Sequence, residues 1–274
     1  MKLLLRPTAK RMYRFLAEHK TGLIETAQFL ALSGIAVVVV VIGLRGLRYD
    51  WAWFRVPRYL LHVTDDGIAA GPLLQGLGVT LQISGISLIL AAGFGLITAL
   101  FRLSRSFTAN AIAQVYLEAV RNTPLLIQLF VIYFVFAPIA GLAPFWSAVL
   151  ALSLFEGAYA SEIIRGAILS IPRSQWESCY TLGLSPPDTY RFVVLPQALR
   201  KIVPPLTSQA VSLIKDSALV STIAISDLTM NGSATVSNTF LTFEIWFTVA
   251  AIYLVINIAL SLLASGLETI LRVP

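Results

Sequence analysis

Six long apolar stretches, at about 23–44, 75–101, 113–137, 143–169, 198–228 and 240–271, dominate this sequence of 274 residues. A helix rises about 1.5 Å per residue, so roughly 20 residues span the hydrocarbon core of a bilayer. Each stretch is long enough to do so. Hydrophobic residues make up 57% of the chain and charged residues only 12%, whereas soluble domains carry roughly a quarter charged. So little charge cannot clothe a globular surface, which excludes a soluble enzyme and a disordered tail protein. The single cysteine, Cys179, cannot form an intrachain bridge, so a secreted disulfide scaffold is excluded as well. The expected fold is an all-α integral membrane protein with about six transmembrane helices.

The first stretch ends in the run Ala36-Val37-Val38-Val39-Val40-Val41. It is longer than the apolar region of a signal peptide, and Arg45 and Arg48 follow it instead of a small-residue cleavage site. It therefore reads as a retained helix. The expected organisation is a tail over 1–22, an N-terminal helix at 23–44, an extracytoplasmic loop over 45–74, and a helical block from 75 to 272.

Basic residues set the orientation, because Lys and Arg accumulate in cytoplasmic loops. With the first tail inside, Lys2, Arg6, Lys10, Arg11, Arg14, Lys20, Arg102, Arg105, Arg173, Arg191, Arg200, Lys201 and Arg272 all fall inside. Only Arg45, Arg48, Arg55 and Arg58 fall outside. Thirteen against four predicts both termini in the cytoplasm. The same bias accounts for the net charge of +6, so no nucleic-acid partner is expected. Trp51, Trp53, Phe54 and Tyr59 give the four-Arg outer loop the character of an interfacial segment.

Residues 170–196, between the fourth and fifth stretches, are patterned where membrane connections are often irregular. Residues 174–182 suit a short helix with Trp176 and Tyr180 one turn apart on one face. Gly183 suits a helix stop that needs left-handed backbone. Ser185-Pro186-Pro187-Asp188 then reads as a second start, with Ser as cap and Pro in the first turn. The expected product is a helix–Gly–helix elbow. Its aromatic pair suits a partner's groove; an amphipathic elbow lying on lipid headgroups fits the same pattern.

Ionisable groups at membrane depth are costly and invite a functional reading. Glu118 with Arg121, and Glu162 with Arg165, are three apart and suited to neutralise one another. Glu156 has no basic residue three or four positions away. Lys215-Asp216 is the other deep site, on a stretch that Pro204-Pro205 is expected to break or kink, with Gln209, Ser212 and Ser217 nearby. Irregular polar backbone at this depth is tolerated where it lines a cavity or is buried in protein. Glu156, Gln209, Ser212, Lys215 and Asp216 are therefore candidates for a solute path that offers both charge signs to a zwitterion. A buried Glu156–Lys215 pair that serves helix packing is the alternative.

Catalytic equipment is lacking. There is no Gly-x-x-x-x-Gly-Lys-Ser/Thr, no His-Glu-x-x-His and no Gly-x-Ser-x-Gly. With His19 and His62 far apart and one cysteine, no metal site is expected.

From about 75 to 272 the chain resembles the EAA-loop permeases of ABC importers. The spacing of Glu177-Ser178-Cys179, Gly183, Val193 and Leu195-Pro196 matches that loop. The resemblance is closest to the polar amino-acid branch, whose members carry histidine, glutamine, arginine, glutamate and opines. The stretches Tyr116–Gln128, Ala158–Gly166, Leu195–Arg200 and Lys215–Ser221 also carry it. Ser178-Cys179 stands where Ala-Ala is usual, and Ser174 where Gly is common. The resemblance implies a five-helix permease core, with 23–44 as an extra helix, in a bacterial inner membrane. It implies that the elbow, through Gln175, Glu177, Cys179, Gly183, Leu195 and Pro196, couples to a cytoplasmic ATPase that binds the ATP and Mg; this chain itself holds no cofactor. A second permease subunit, identical or related, an extracytoplasmic solute-binding protein and an amino-acid substrate complete the implied set. A secondary amino-acid transporter driven by an ion gradient through Glu156 and Asp216 is the second reading, and it leaves the elbow unexplained.

Overall fold

The apolar stretches become helices, and the computed structural model describes residues 25–39, 41–43, 49–64 and 67–271. The chain divides into two units at Trp51/Ala52. The tail 1–22 with its six basic residues, and Arg45, Arg48 and Arg272, lie outside the described residues. The first unit contains α1, Glu25–Gly43, whose apolar side chains are almost all exposed.

The second unit opens on ordered structure where a loop was expected. A 3-10 turn, Trp53–Arg55, and α2, Pro57–Leu60, lead into the antiparallel strands β1, Leu61–Thr64, and β2, Gly67–Ala70. This hairpin departs from the all-α expectation. Then come α3, Pro72–Leu103; α4, Phe107–Arg121; α5, Leu125–Ala140; and α6, Pro144–Leu169. The elbow follows as α7, Arg173–Thr181, and α8, Pro186–Thr189, and a π turn leads into α9, Leu195–Asp216. A 3-10 turn, Ser217–Ile223, precedes α10, Leu228–Thr239, and α11, Thr242–Leu271.

Among the described residues four helices are long and apolar enough to cross a membrane, α1, α3, α6 and α11, or five if α4 and α5 make one broken span. The fifth expected span, 198–228, is too polar along α9 to meet that measure.

The framework is the pair α3–α6, which run in the same direction: Ser87 meets Val149 and, further along both helices, Gly95 meets Ala160. Small residues let the backbones approach, as they do between membrane helices. A Cβ on Gly95 would stand 2.7 Å from that of Ala160, and one on Gly157 would stand 2.8 Å from that of Phe94. One buried cluster, around Ile83, Leu129, Leu152, Leu213 and Val220, joins α5, α6 and α9 to α3. A second, with Ala99, Ile164, Ile168, Val194, Ala198 and Ile202, lies at the elbow end. A third, with Leu73, Leu228, Leu241 and Ile245, closes the opposite end.

The stretch expected as one span at 113–137 is instead bent by 107° between α4 and α5. Pro124 removes an amide donor there, and side chains reach the carbonyls of the last turn of α4. The Asn122 amide donates to the Glu118 carbonyl at 2.9 Å, the Thr123 hydroxyl to that of Ala119 at 2.8 Å, and the Gln128 amide to that of Val120 at 2.7 Å. Each bond matters because an unsatisfied carbonyl in a bilayer costs several kcal/mol, roughly. Conversely, Pro204 and Pro205 do not break α9, which continues to Asp216. The irregular backbone comes just beyond it, in the 3-10 turn and the left-handed Ala224 at φ 59°.

Candidate functional site

At the elbow, α7 ends as the sequence predicts. Gly183 has φ 73°, where a side chain would crowd the carbonyl. The amide of Gly183 donates to Tyr180 at 3.0 Å and that of Leu184 to Cys179 at 3.1 Å, the two reversed bonds that close a helix on a left-handed residue. Ser185 caps α8 by accepting from the Asp188 amide at 3.4 Å, and its hydroxyl donates to the Asp188 carboxylate at 2.5 Å.

The faces of α7 differ from the expectation. Trp176 turns inward, edge-on to Tyr190 at 5.3 Å, against the cluster at the elbow end. Cys179 is 3% exposed and anchors the helix from beneath. Gln175, Glu177 and Gly183 stand on the exposed side. The outward apolar groups are Tyr180 and Leu182, not the pair Trp176 and Tyr180. Leu195 and Pro196 open α9 and are exposed.

A further bond fixes the elbow to the helices on either side. The Lys201 ammonium donates to the Ser170 carbonyl at 3.1 Å and to its hydroxyl at 2.9 Å. Ser170 ends α6, so a cation sits at the negative end of that helix. The sequence marks Lys201 only as a basic loop residue, because its partner lies 31 positions away.

Midway along α6, Glu156 is 1% exposed. The Gln209 amide donates to its Oε2 at 2.5 Å, while its Oε1 is buried without a partner. Both side chains line a cavity of about 320 Å³ with Ala91, Ala160, Val203 and Thr207. Lys215 is exposed and makes no pair with Glu156, so the packing alternative is not what the structure holds. Ser212 and Asp216 are half-buried further along α9 and outside this cavity.

The charge pairs also divide. Arg165 and Glu162 meet at 2.7 Å. Glu118 takes amide partners instead, Asn122 at 2.7 Å and Gln114 at 3.3 Å. Among the described residues no cluster of His, Cys, Asp and Glu suits a metal.

A family model for the inner membrane component of binding-protein-dependent transport systems matches residues 91–273. The glutamine transport system permease protein GlnP of Escherichia coli is 38% identical over 233 residues, covering 83% of this chain and 100% of the relative. The L-cystine transport system permease protein TcyB of Bacillus subtilis is 46% identical over 159 residues, covering 57% of this chain and 68% of the relative. A crystal structure of an amino acid ABC transporter with histidines matches with a TM-score of 0.72 and 30% identity, over 81% of this chain and 99% of that one. The methionine ABC transporter MetNI, at 21% identity and a TM-score of 0.62 over 73% of this chain and 96% of that one, supports the fold alone. The gradient-driven reading finds no support among these relatives. Membership of such a family implies an ATPase and a solute-binding protein as partners. The chain belongs to the inner-membrane permease components of binding-protein-dependent ABC transport systems.

Proposed function

We propose that this permease subunit imports polar amino acids, with Glu156 and Gln209 on the translocation path and α7 as the helix that couples to the ATPase. The observation that carries the reading is the Glu156 carboxylate, buried on a cavity wall with one oxygen unpartnered. A buried anion without a cation is costly, and the ammonium of an amino acid is a fitting partner. Gln209, with its amide already committed to Glu156, retains a carbonyl oxygen as acceptor. The relatives named for glutamine and L-cystine, and the amino acid ABC transporter solved with histidines, support the same substrate class.

In this reading both termini are cytoplasmic and two permease subunits, identical or paired with a relative, enclose one path. The solute-binding protein delivers to the end opposite the elbow. ATP binding draws the two ATPase subunits together, and they pull on α7 through Glu177, Tyr180 and Leu182. Lys201 and the buried cluster at the elbow end pass that displacement to α6 and α9, which carry Glu156 and Gln209. The lever is mechanical, and the chemistry of ATP stays on the partner.

The test is uptake of labelled amino acids in cells lacking native importers, with the chain expressed beside its ATPase and binding protein, and then without the ATPase. Uptake that disappears with the ATPase supports the reading and names the substrate. Uptake that persists overturns it.

A further inference from the structure

Residues 52–60 are ordered against the end of the bundle opposite the elbow. The Ala52 amide donates to Oε1 of the buried Glu244 at 2.7 Å. Val56 is buried, and Tyr59 and Leu60 pack on the cluster around Leu73, Leu241 and Ile245. With its inner side so anchored, the segment presents a different outer side. Phe54 is 83% exposed, and the Arg58 guanidinium lies over the Tyr59 ring at 5.0 Å.

The position of this outer side follows from one contact. Trp53 stacks on Phe247 at 6.4 Å. Phe247 and Trp246 lie in the first turns of α11, exposed on the same helix as Leu254, Val255, Ile258 and Leu262. In a spanning helix that apolar face meets lipid, so the aromatic edge of 52–60 continues a lipid-facing surface at the depth where the span begins. Aromatic rings with one polar edge favour that depth, and arginines there reach headgroup phosphates.

We propose that residues 52–60 are a membrane-interface anchor: Phe54 and Trp53 insert into the headgroup layer at the end of α11 away from the elbow, and Arg55 and Arg58 engage lipid phosphate. The anchor fixes the depth at which α3 and α11 enter the bilayer. The occupant is the bilayer itself, because the patch is continuous with the lipid-facing side of α11 and carries cations suited to anionic headgroups.

The experiment places a spin label at Phe54→Cys in a Cys179→Ala background. The permease is assembled with its ATPase in liposomes of phosphatidylethanolamine and phosphatidylglycerol. Phe54 touches none of the buried clusters, so the label leaves the fold intact, and Val255→Cys supplies the lipid-facing standard. The anchor predicts that the label at 54 collides more with oxygen than with an aqueous nickel chelate, as at 255. It also predicts that the preference weakens when Arg55 and Arg58 are both changed to Gln. A label at 54 that collides mainly with the nickel chelate overturns the proposal. So does one shielded from both reagents, or one shielded only when the solute-binding protein is added, which would make the patch a protein-docking surface.

Discussion

The Gln209 side chain donates to one oxygen of Glu156, and the other oxygen of that carboxylate is buried with no partner. The two residues lie 53 positions apart in sequence and meet on the wall of one cavity. Their roles separate by substitution. Glu156→Gln keeps the shape and removes the charge, so assembly and thermal stability are expected to hold while uptake falls. Gln209→Leu leaves a buried acceptor without its donor, which costs about 1–3 kcal/mol, so it is expected to lower the melting temperature as well. Parallel uptake and melting measurements check this, and full uptake in Glu156→Gln would remove the residue from the path.

The bend between α4 and α5 gives a second prediction. Gln128 donates to the carbonyls of Val120 and Thr123 and to the Thr123 hydroxyl. Gln128→Leu strips these acceptors inside the bilayer, at about 1–3 kcal/mol for the carbonyl left unsatisfied. Lower thermal stability of the detergent-purified complex is expected, with Gln128→Glu failing to restore it because a carboxylate cannot donate. A melting curve matching that of the unaltered protein would show that the bend holds without this cap.

What was legible in the sequence followed how local each signal is. The stop at Gly183 and the cap at Ser185 involve neighbours within five residues, and both appear in the structure as read. The spans at 75–101, 143–169 and 240–271 rest on apolar length alone and became α3, α6 and α11. The bend near Pro124 was hidden because its flanks are as apolar as a straight span. Pro204-Pro205 pointed to a break or a kink, and the helix runs unbroken through them. Residue type named Glu156 and Gln209, but not that they pair with each other while Lys215 stands apart. Such pairing depends on how α6 and α9 rotate against each other, and one-dimensional spacing does not carry that rotation.

Gly183 is the third test. Its φ of 73° imposes about 1–2 kcal/mol on any residue with a Cβ. No atom stands within 4 Å of where that Cβ would be, so the penalty falls on the backbone and not on packing. Gly183→Asp is expected to insert and fold while the elbow loses its geometry, which lowers uptake and weakens retention of the ATPase on affinity purification. Unchanged uptake in this variant would sink the assignment of α7 as the coupling helix.

Lys201 is the fourth. Its two bonds to Ser170 tie the start of α9 to the end of α6, across the elbow that joins them. A cation at a helix C-terminus contributes about 0.3–1 kcal/mol at an exposed site, too little for its loss to unfold the chain. The buried cluster of Ile164, Ile168, Val194 and Ala198 remains beneath it. Lys201→Met should therefore leave the melting temperature nearly unchanged and loosen the strut between elbow and path. The expected signature is ATP hydrolysis that continues while solute moved per ATP falls, with Lys201→Arg restoring most of the ratio because a guanidinium also donates to both Ser170 oxygens. A ratio unaffected by Lys201→Met would mean that the apolar cluster alone transmits the motion.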